Sequence, residues 1–152
     1  MATEVVFDDI VRFLRKGGWS FGIGETNSIS MAVEGVRGVY SVLIRYPWEK
    51  EIIIVYVQYP FRVPEGKRHE ILDLVARINH GLLFGACEYA QDTGEVRFRS
   101  TMLTDGAPFH SEQFSTMFAT ALSNTERYAP AFAAVLAGTE EANKAISRVE
   151  RP

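Results

Sequence analysis

Ile52-Ile53-Ile54-Val55-Tyr56-Val57 is an apolar run without a polar position on either side of a strand. An antiparallel sheet with one wet face alternates apolar and polar residues, because successive side chains point to opposite faces. This run does not alternate. The preceding segment, Val39 to Arg45, is nearly as apolar, with Tyr40, Val42 and Ile44 on one side and Val39 and Leu43 on the other. Strands of this kind require cover on both faces. Helices can supply one cover. The other must come from the C-terminal helices, a second subunit or a partner, since large exposed apolar patches mark interaction sites. Tyr40, Ile53 and Val55 are therefore candidates for an interaction surface. At six residues, the run is far too short to span a bilayer.

Around this centre the pattern reads as one continuous set of elements without repeats. A helix is expected from Thr3, a capping residue, to Lys16, with Val6, Ile10, Phe13 and Leu14 at helical spacing and Gly17-Gly18 as its stop. Trp19 to Gly24 and Ser28 to Glu34 read as one strand with an irregular middle at Glu25-Thr26-Asn27. Turns are expected at Gly35 to Gly38 and at Pro47-Trp48-Glu49-Lys50, with strands at Val39–Arg45 and Glu51–Tyr59 between and after them. Pro60 and Pro64 bracket a loop. A second helix runs from Glu65 to Leu83, with Ile71, Leu74, Val75, Ile78 and Leu82 as its buried stripe and Asp73–Arg77 as a surface pair. Ala86–Gln91 and Glu95–Leu103 form a hairpin, and Gly94 suits a type I turn with a bulge. The C-terminal part is helical. Ser111 is its expected cap, and Pro130 is expected to break or kink it near Arg127-Tyr128. Thr139 is the expected cap of a last short helix. The order is α-βββ-α-ββ-α, an α+β fold whose antiparallel sheet has about five strands with helices packed on it. All 152 residues are expected to form a single domain.

Net charge is −3 and the sequence pI about 5.6, which argues against nucleic-acid binding through a broad basic footprint. The single cysteine, Cys87, rules out an internal disulfide framework, and the first residues lack a basic, apolar leader. A cytoplasmic protein without membrane attachment is the expectation.

Patterns that carry chemistry are absent. His69 and His80 share a face of the second helix but lie roughly 16 Å apart at the helical rise per residue. They cannot share a metal ion, and His110 has no ligand pattern around it. Cys87 reads as a small core residue rather than a nucleophile, because nothing in the sequence supplies the base or positive field that makes thiolate. The glycines of Gly22-Ile23-Gly24 and Gly35 to Gly38 match neither a phosphate loop nor a dinucleotide fingerprint. No catalytic, metal-binding or cofactor-binding residue is assigned, and the chain is read as a non-enzyme. Arg97 and Arg99 project from one side of their strand, with Arg62, Lys67 and Arg68 as candidate neighbours. They form either an anion or acidic-peptide surface or a solvated strand face with Glu88 as cross-strand partner.

Several stretches in order carry a family resemblance. They are Leu14-Arg15-Lys16-Gly17-Gly18-Trp19, Val63-Pro64-Glu65-Gly66-Lys67-Arg68, Arg77-Ile78-Asn79, Glu88-Tyr89-Ala90, Gly94 to Arg99, Tyr128-Ala129-Pro130 and Leu136-Ala137-Gly138. In these the sequence resembles the YbjN-like family of bacterial proteins over nearly its whole length. Cys87 departs from the pattern, which has an aromatic residue before the glutamate. The resemblance implies a fold like that of type III secretion chaperones, often dimeric, and a role in regulating sensory transduction. It carries no catalytic residue and no cofactor. The expected function is a protein-binding or regulatory module whose partner is another protein or a second copy. The alternatives are a secretion-type chaperone holding an extended client segment, and a small ligand-binding domain or enzyme.

Overall fold

The structure, a computed structural model, describes residues 2–47 and 50–151, with side chains from residue 5 onward. Thr3, the expected cap, lies inside the first helix, which begins at Ala2; the Trp48-Glu49 part of the turn after Pro47 lies outside what is described. The elements are α1 (Ala2–Lys16), β1 (Gly22–Gly24), β2 (Ser28–Gly35), β3 (Gly38–Arg45), β4 (Ile52–Arg62), α2 (Arg68–Gly81), β5 (Ala86–Ala90), β6 (Glu95–Leu103), α3 (Ser111–Ala137) and α4 (Ala142–Glu150). A 3-10 turn, Glu65–Lys67, leads into α2. The six strands form one antiparallel sheet in the order β1-β2-β3-β4-β6-β5.

The fold class is the α+β arrangement expected, with one strand more. The interruption at Glu25-Thr26-Asn27 is a reversal of the chain. Thr26 and Asn27 both take positive φ, and Gly24 then pairs with Ser28 and Ile23 with Ile29. Pro60 does not open a loop. β4 continues through it to Arg62, because the register shifts between Gln58 and Arg62 and the proline falls at the irregularity, where no ladder N–H is needed. Beyond it the Val63 N–H donates to the Gly94 carbonyl at 2.8 Å. Gly94 has φ +77°, and a Cβ there would stand 2.7 Å from the Val63 oxygen, so this crossing needs glycine.

The C-terminal helices differ in a similar way. α3 runs unbroken for 27 residues through Pro130. The missing N–H costs one helical bond. The turns on either side are held by Tyr128, Ala131, Phe132 and Val135, each buried to within 1% of completely, and this packing outweighs the break. The cap of α3 is His110 rather than Ser111, and that of α4 is Glu141 rather than Thr139; neither caps with its side chain. Thr139 instead closes the end of α3, its N–H and hydroxyl both donating to the Ala134 carbonyl.

One hydrophobic cluster joins the helices to one face of the sheet. Its strand side is built from every second residue, among them Tyr40, Val42, Ile53, Val55, Val57 and Phe98. Its helix side includes Ile10 and Leu14 of α1, Ile71 and Leu74 of α2, and Phe114 and Phe132 of α3. Aromatic rings fill the middle: Tyr59 lies 5.0 Å from the Phe132 centroid and 5.9 Å from that of Tyr40. None of the described residues on the other face of the strands is buried.

Candidate functional site

The uncovered face of the sheet is where the polar and apolar features of the chain meet. Register fixes its layout. Leu43, Tyr56, Arg99 and Ala86 stand side by side across β3, β4, β6 and β5. The next row is Ser41, Gln58, Arg97 and Glu88. On the other side of the Tyr56 row come Arg45, Ile54 and Thr101, and then Ile52 beside Leu103. An apolar strip therefore runs from Leu43 over Tyr56 and Ile54 to Ile52 and Leu103. The last is 75% exposed.

Glu88 is the charged hub of this face. Its carboxylate accepts from Arg97 Nε at 2.7 Å and lies 2.6 Å from Arg99 Nε. The cross-strand partner read from the sequence is thus in place, but a single carboxylate serves two guanidinium groups. The cluster keeps one net positive charge. Arg97 also lies over the Tyr56 ring, 3.9 Å from its centroid, joining the charged group to the apolar strip. All three charged side chains are between 31% and 41% exposed, so each pair contributes no more than about 1 kcal/mol to stability. Their consequence is a surface of fixed shape and sign.

Arg97 and Arg99 therefore stand together on this open face. Tyr40, Ile53 and Val55 do not join them. They are 2%, 0% and 0% exposed and face the helices, so their assignment to an interaction surface is corrected. The reason is the two-residue strand period: Ile53 and Val55 share a face with Phe98, whereas Ile52, Ile54 and Tyr56 share one with Arg97 and Arg99. Arg62 and Arg68 are engaged elsewhere. Arg62 bonds Glu95 at 3.1 Å and the Thr93 carbonyl at 3.0 Å, and Arg68 reaches the Gln91 carbonyl at 3.5 Å.

Asn79 matters here and was quoted above only as part of a motif. From α2 it accepts from the Cys87 N–H at 2.7 Å and donates to the Cys87 carbonyl at 2.9 Å. Both groups face outward from the edge strand β5, so one amide side chain takes the place of a neighbouring strand. Asn79 comes one turn after the buried Val75 and directly after Ile78, at the helix end nearest β5; that position was its only signal in the sequence.

The buried titratable groups favour their neutral forms. Desolvation raises the Cys87 thiol well above its ordinary value, with Glu88 adding to the effect, so the thiol is held protonated among core side chains. Tyr59 is raised by burial, and its hydroxyl donates to the Thr125 carbonyl at 2.7 Å. Burial first and the Glu126 carboxylate second push Tyr40 up to about 12. Burial first and Glu150, which accepts from its hydroxyl at 2.9 Å, push Tyr128 up to about 12. Among the described residues no group of three His, Cys, Asp or Glu could hold a metal ion, and no helix is long and apolar enough to cross a membrane.

The sequence matches the YbjN family, described as "Putative bacterial sensory transduction regulator", over residues 7–134. The chain belongs to the YbjN family. Comparison with curated proteins returns no match. Three solved structures share the fold of this YbjN-family chain. The crystal structure of YbjN from E. coli is 14% identical, with a TM-score of 0.58 over 77% of this chain and 83% of that one. A chain of the ExsC–ExsE complex is 17% identical, with a TM-score of 0.59 over 83% and 92%. A chain of the HopA1–SchA chaperone–effector complex is 9% identical, with a TM-score of 0.52 over 79% and 91%. At these identities the likeness is one of fold, the type III secretion chaperone-like fold. The family is described as a putative regulator, and one of these neighbours comes from a chaperone–effector complex.

Proposed function

We propose that this YbjN-family chain is a non-enzymatic, cytoplasmic protein-binding module, one domain whose open sheet face is covered by a protein partner or a second copy of itself. The observation that carries this reading is the strip Leu43–Tyr56–Ile54–Ile52–Leu103, left half-exposed to exposed while the core that joins the helices to the sheet lies on the opposite face. A two-sided apolar strand in a one-sided helical coat needs a second cover. The Arg97–Glu88–Arg99 cluster at its flank, with one charge in excess, favours a partner surface that is apolar with acidic residues beside it. Light scattering on the purified chain tests the self-association arm. A dimer at micromolar concentration that Tyr56→Asp converts to monomer supports it. A dimer unaffected by Tyr56→Asp and Leu43→Asp moves the interface elsewhere.

A second reading is favoured by the fold, since two of the structural neighbours come from complexes, one of them a chaperone–effector pair. On this reading the chain is a secretion-type chaperone that holds an extended client segment. Co-purification from native cells separates the two: one co-encoded client, held unfolded, supports the chaperone, whereas a folded partner supports the regulator.

A further inference from the structure

The two ends of the β5 side of the sheet are treated differently. β5 pairs with β6 only from Ala90–Glu95 to Ala86–Arg99. Gly85 then turns away with φ +73°, so close to β6 that a Cβ would stand 2.6 Å from the Arg99 oxygen. β6 itself continues four residues further, Ser100 to Leu103, paired there only with β4.

The direction of its free backbone groups follows from two bonds. Cys87 sends its N–H and carbonyl outward to Asn79, so Phe98 opposite it must send its own toward β4. At the far end the Thr104 N–H donates to the Glu51 carbonyl, also on the β4 side. Alternation between these fixed points turns the N–H and carbonyl of Thr101 and Leu103 away from β4, past the end of β5. No backbone partner meets them among the described residues.

Beside this edge, on its helix side, lies a groove of about 510 Å³. Ser100, Met102, Thr116, Met117 and Thr120 line it, and its wall is largely apolar. Glu112 is the one charged residue of its lining. Phe84, 74% exposed, stands at its mouth, with Leu83, 94% exposed, next to it in the chain.

We propose that β6 from Ser100 to Leu103 is a strand-addition site that takes an extended segment of a partner protein, in line with β5. The segment hydrogen-bonds to Thr101 and Leu103 and places one apolar side chain in the groove, with a neutral or basic residue beside Glu112. Natural edges are normally blocked. Here the block is explicit at Cys87, where Asn79 acts as a substitute strand, and absent two residues beyond the end of β5. Backbone pairing supplies affinity and the groove supplies selection by side chain. This deepens the protein-binding reading, adding an edge site to the face site.

The probe is a synthetic peptide of alternating threonine and valine with a lysine at each end, titrated into the purified full chain and followed by amide NMR shifts. Saturable binding is expected, with the largest shifts at the Thr101 and Leu103 amides. Leu103→Pro, which removes one outward N–H, should weaken it at least tenfold. Thr116→Arg, an exposed helix substitution that fills the groove mouth without touching the ladder, should do the same. Tyr56→Asp should leave it unchanged, so failure of the face site and failure of the edge site are distinguishable. Absence of saturable binding, shifts confined to other strands, or full affinity in Thr116→Arg overturns the proposal. So does exchange protection of the Thr101 and Leu103 amides in the free chain, which would mean that a second copy already occupies the edge.

Discussion

Ile53 and Ile54 are the same side chain on adjacent positions of the same strand, and they meet opposite fates. Ile53 is fully buried under the helices, on the same strand face as the buried Val55 and Val57. Ile54 lies half-exposed between Arg45 and Thr101. Nothing intrinsic to isoleucine separates them. The difference comes from which face received the helices. The open face is therefore mixed: Leu43, Ile52, Ile54 and Tyr56 stand on it among Arg45, Gln58, Arg97 and Arg99, and on the proposed reading a partner or a second copy covers them.

The largest expected effect tests the covered side. Ile53→Ala should cost about 2–5 kcal/mol, the usual range for a fully enclosed aliphatic side chain in a core that relaxes only partly. Urea denaturation measures it; a loss under about 1 kcal/mol would show that the helix face is loosely packed. Next comes the edge. Asn79→Ala leaves the Cys87 N–H and carbonyl without their partner and should cost about 1–3 kcal/mol. Native-state hydrogen exchange should show the Cys87 amide losing protection while Phe98 keeps it.

A pH scan sharpens the same contrast without mutation. Tyr40 and Tyr128 stand at about 12 in the folded chain against 10.0 when unperturbed. Their folded values are raised, so the stability they contribute is complete below about pH 10, where both states keep the proton. It is lost progressively as pH rises from about 10 toward 12, where the unfolded chain ionises first. Thermal melts should be flat in this respect up to about pH 9 and fall steeply by about pH 11. The buried Cys87 thiol follows the same sign, and it should stay unreactive to thiol reagents until the chain unfolds.

The smallest stability effect is on the open face. Ile54→Ser should change stability by less than about 1 kcal/mol, because the side chain already touches water. Partner binding or self-association should fall sharply in the same variant. A large stability loss without a binding effect would make the two faces equivalent.

Much of the fold was legible in the sequence because periodicity survives locally. The stripe of α2, the alternation of Val96 and Phe98 against Arg97 and Arg99, and the Glu88 partner all followed from spacing. What failed depended on distant contacts. Pro130 breaks an isolated helix, but the packing around Phe132 holds α3 together through it. Pro60 ends a regular strand, but a register shift lets β4 continue. The two-sided apolar run raised the expectation of a second cover, yet it could not say which face the helices would take. Tyr40, Ile53 and Val55 were therefore assigned to the wrong side. Asn79 was invisible because its role exists only once β5 lies beside α2.

The most direct test of the face assignment is hydroxyl-radical footprinting of the chain purified together with what it carries in native cells, against the isolated chain at low concentration. Leu43, Ile54, Tyr56 and Leu103 are expected to lose reactivity in the complex. Unchanged reactivity at these four residues, with protection appearing instead on the outer surfaces of α1 to α4, would contradict that assignment.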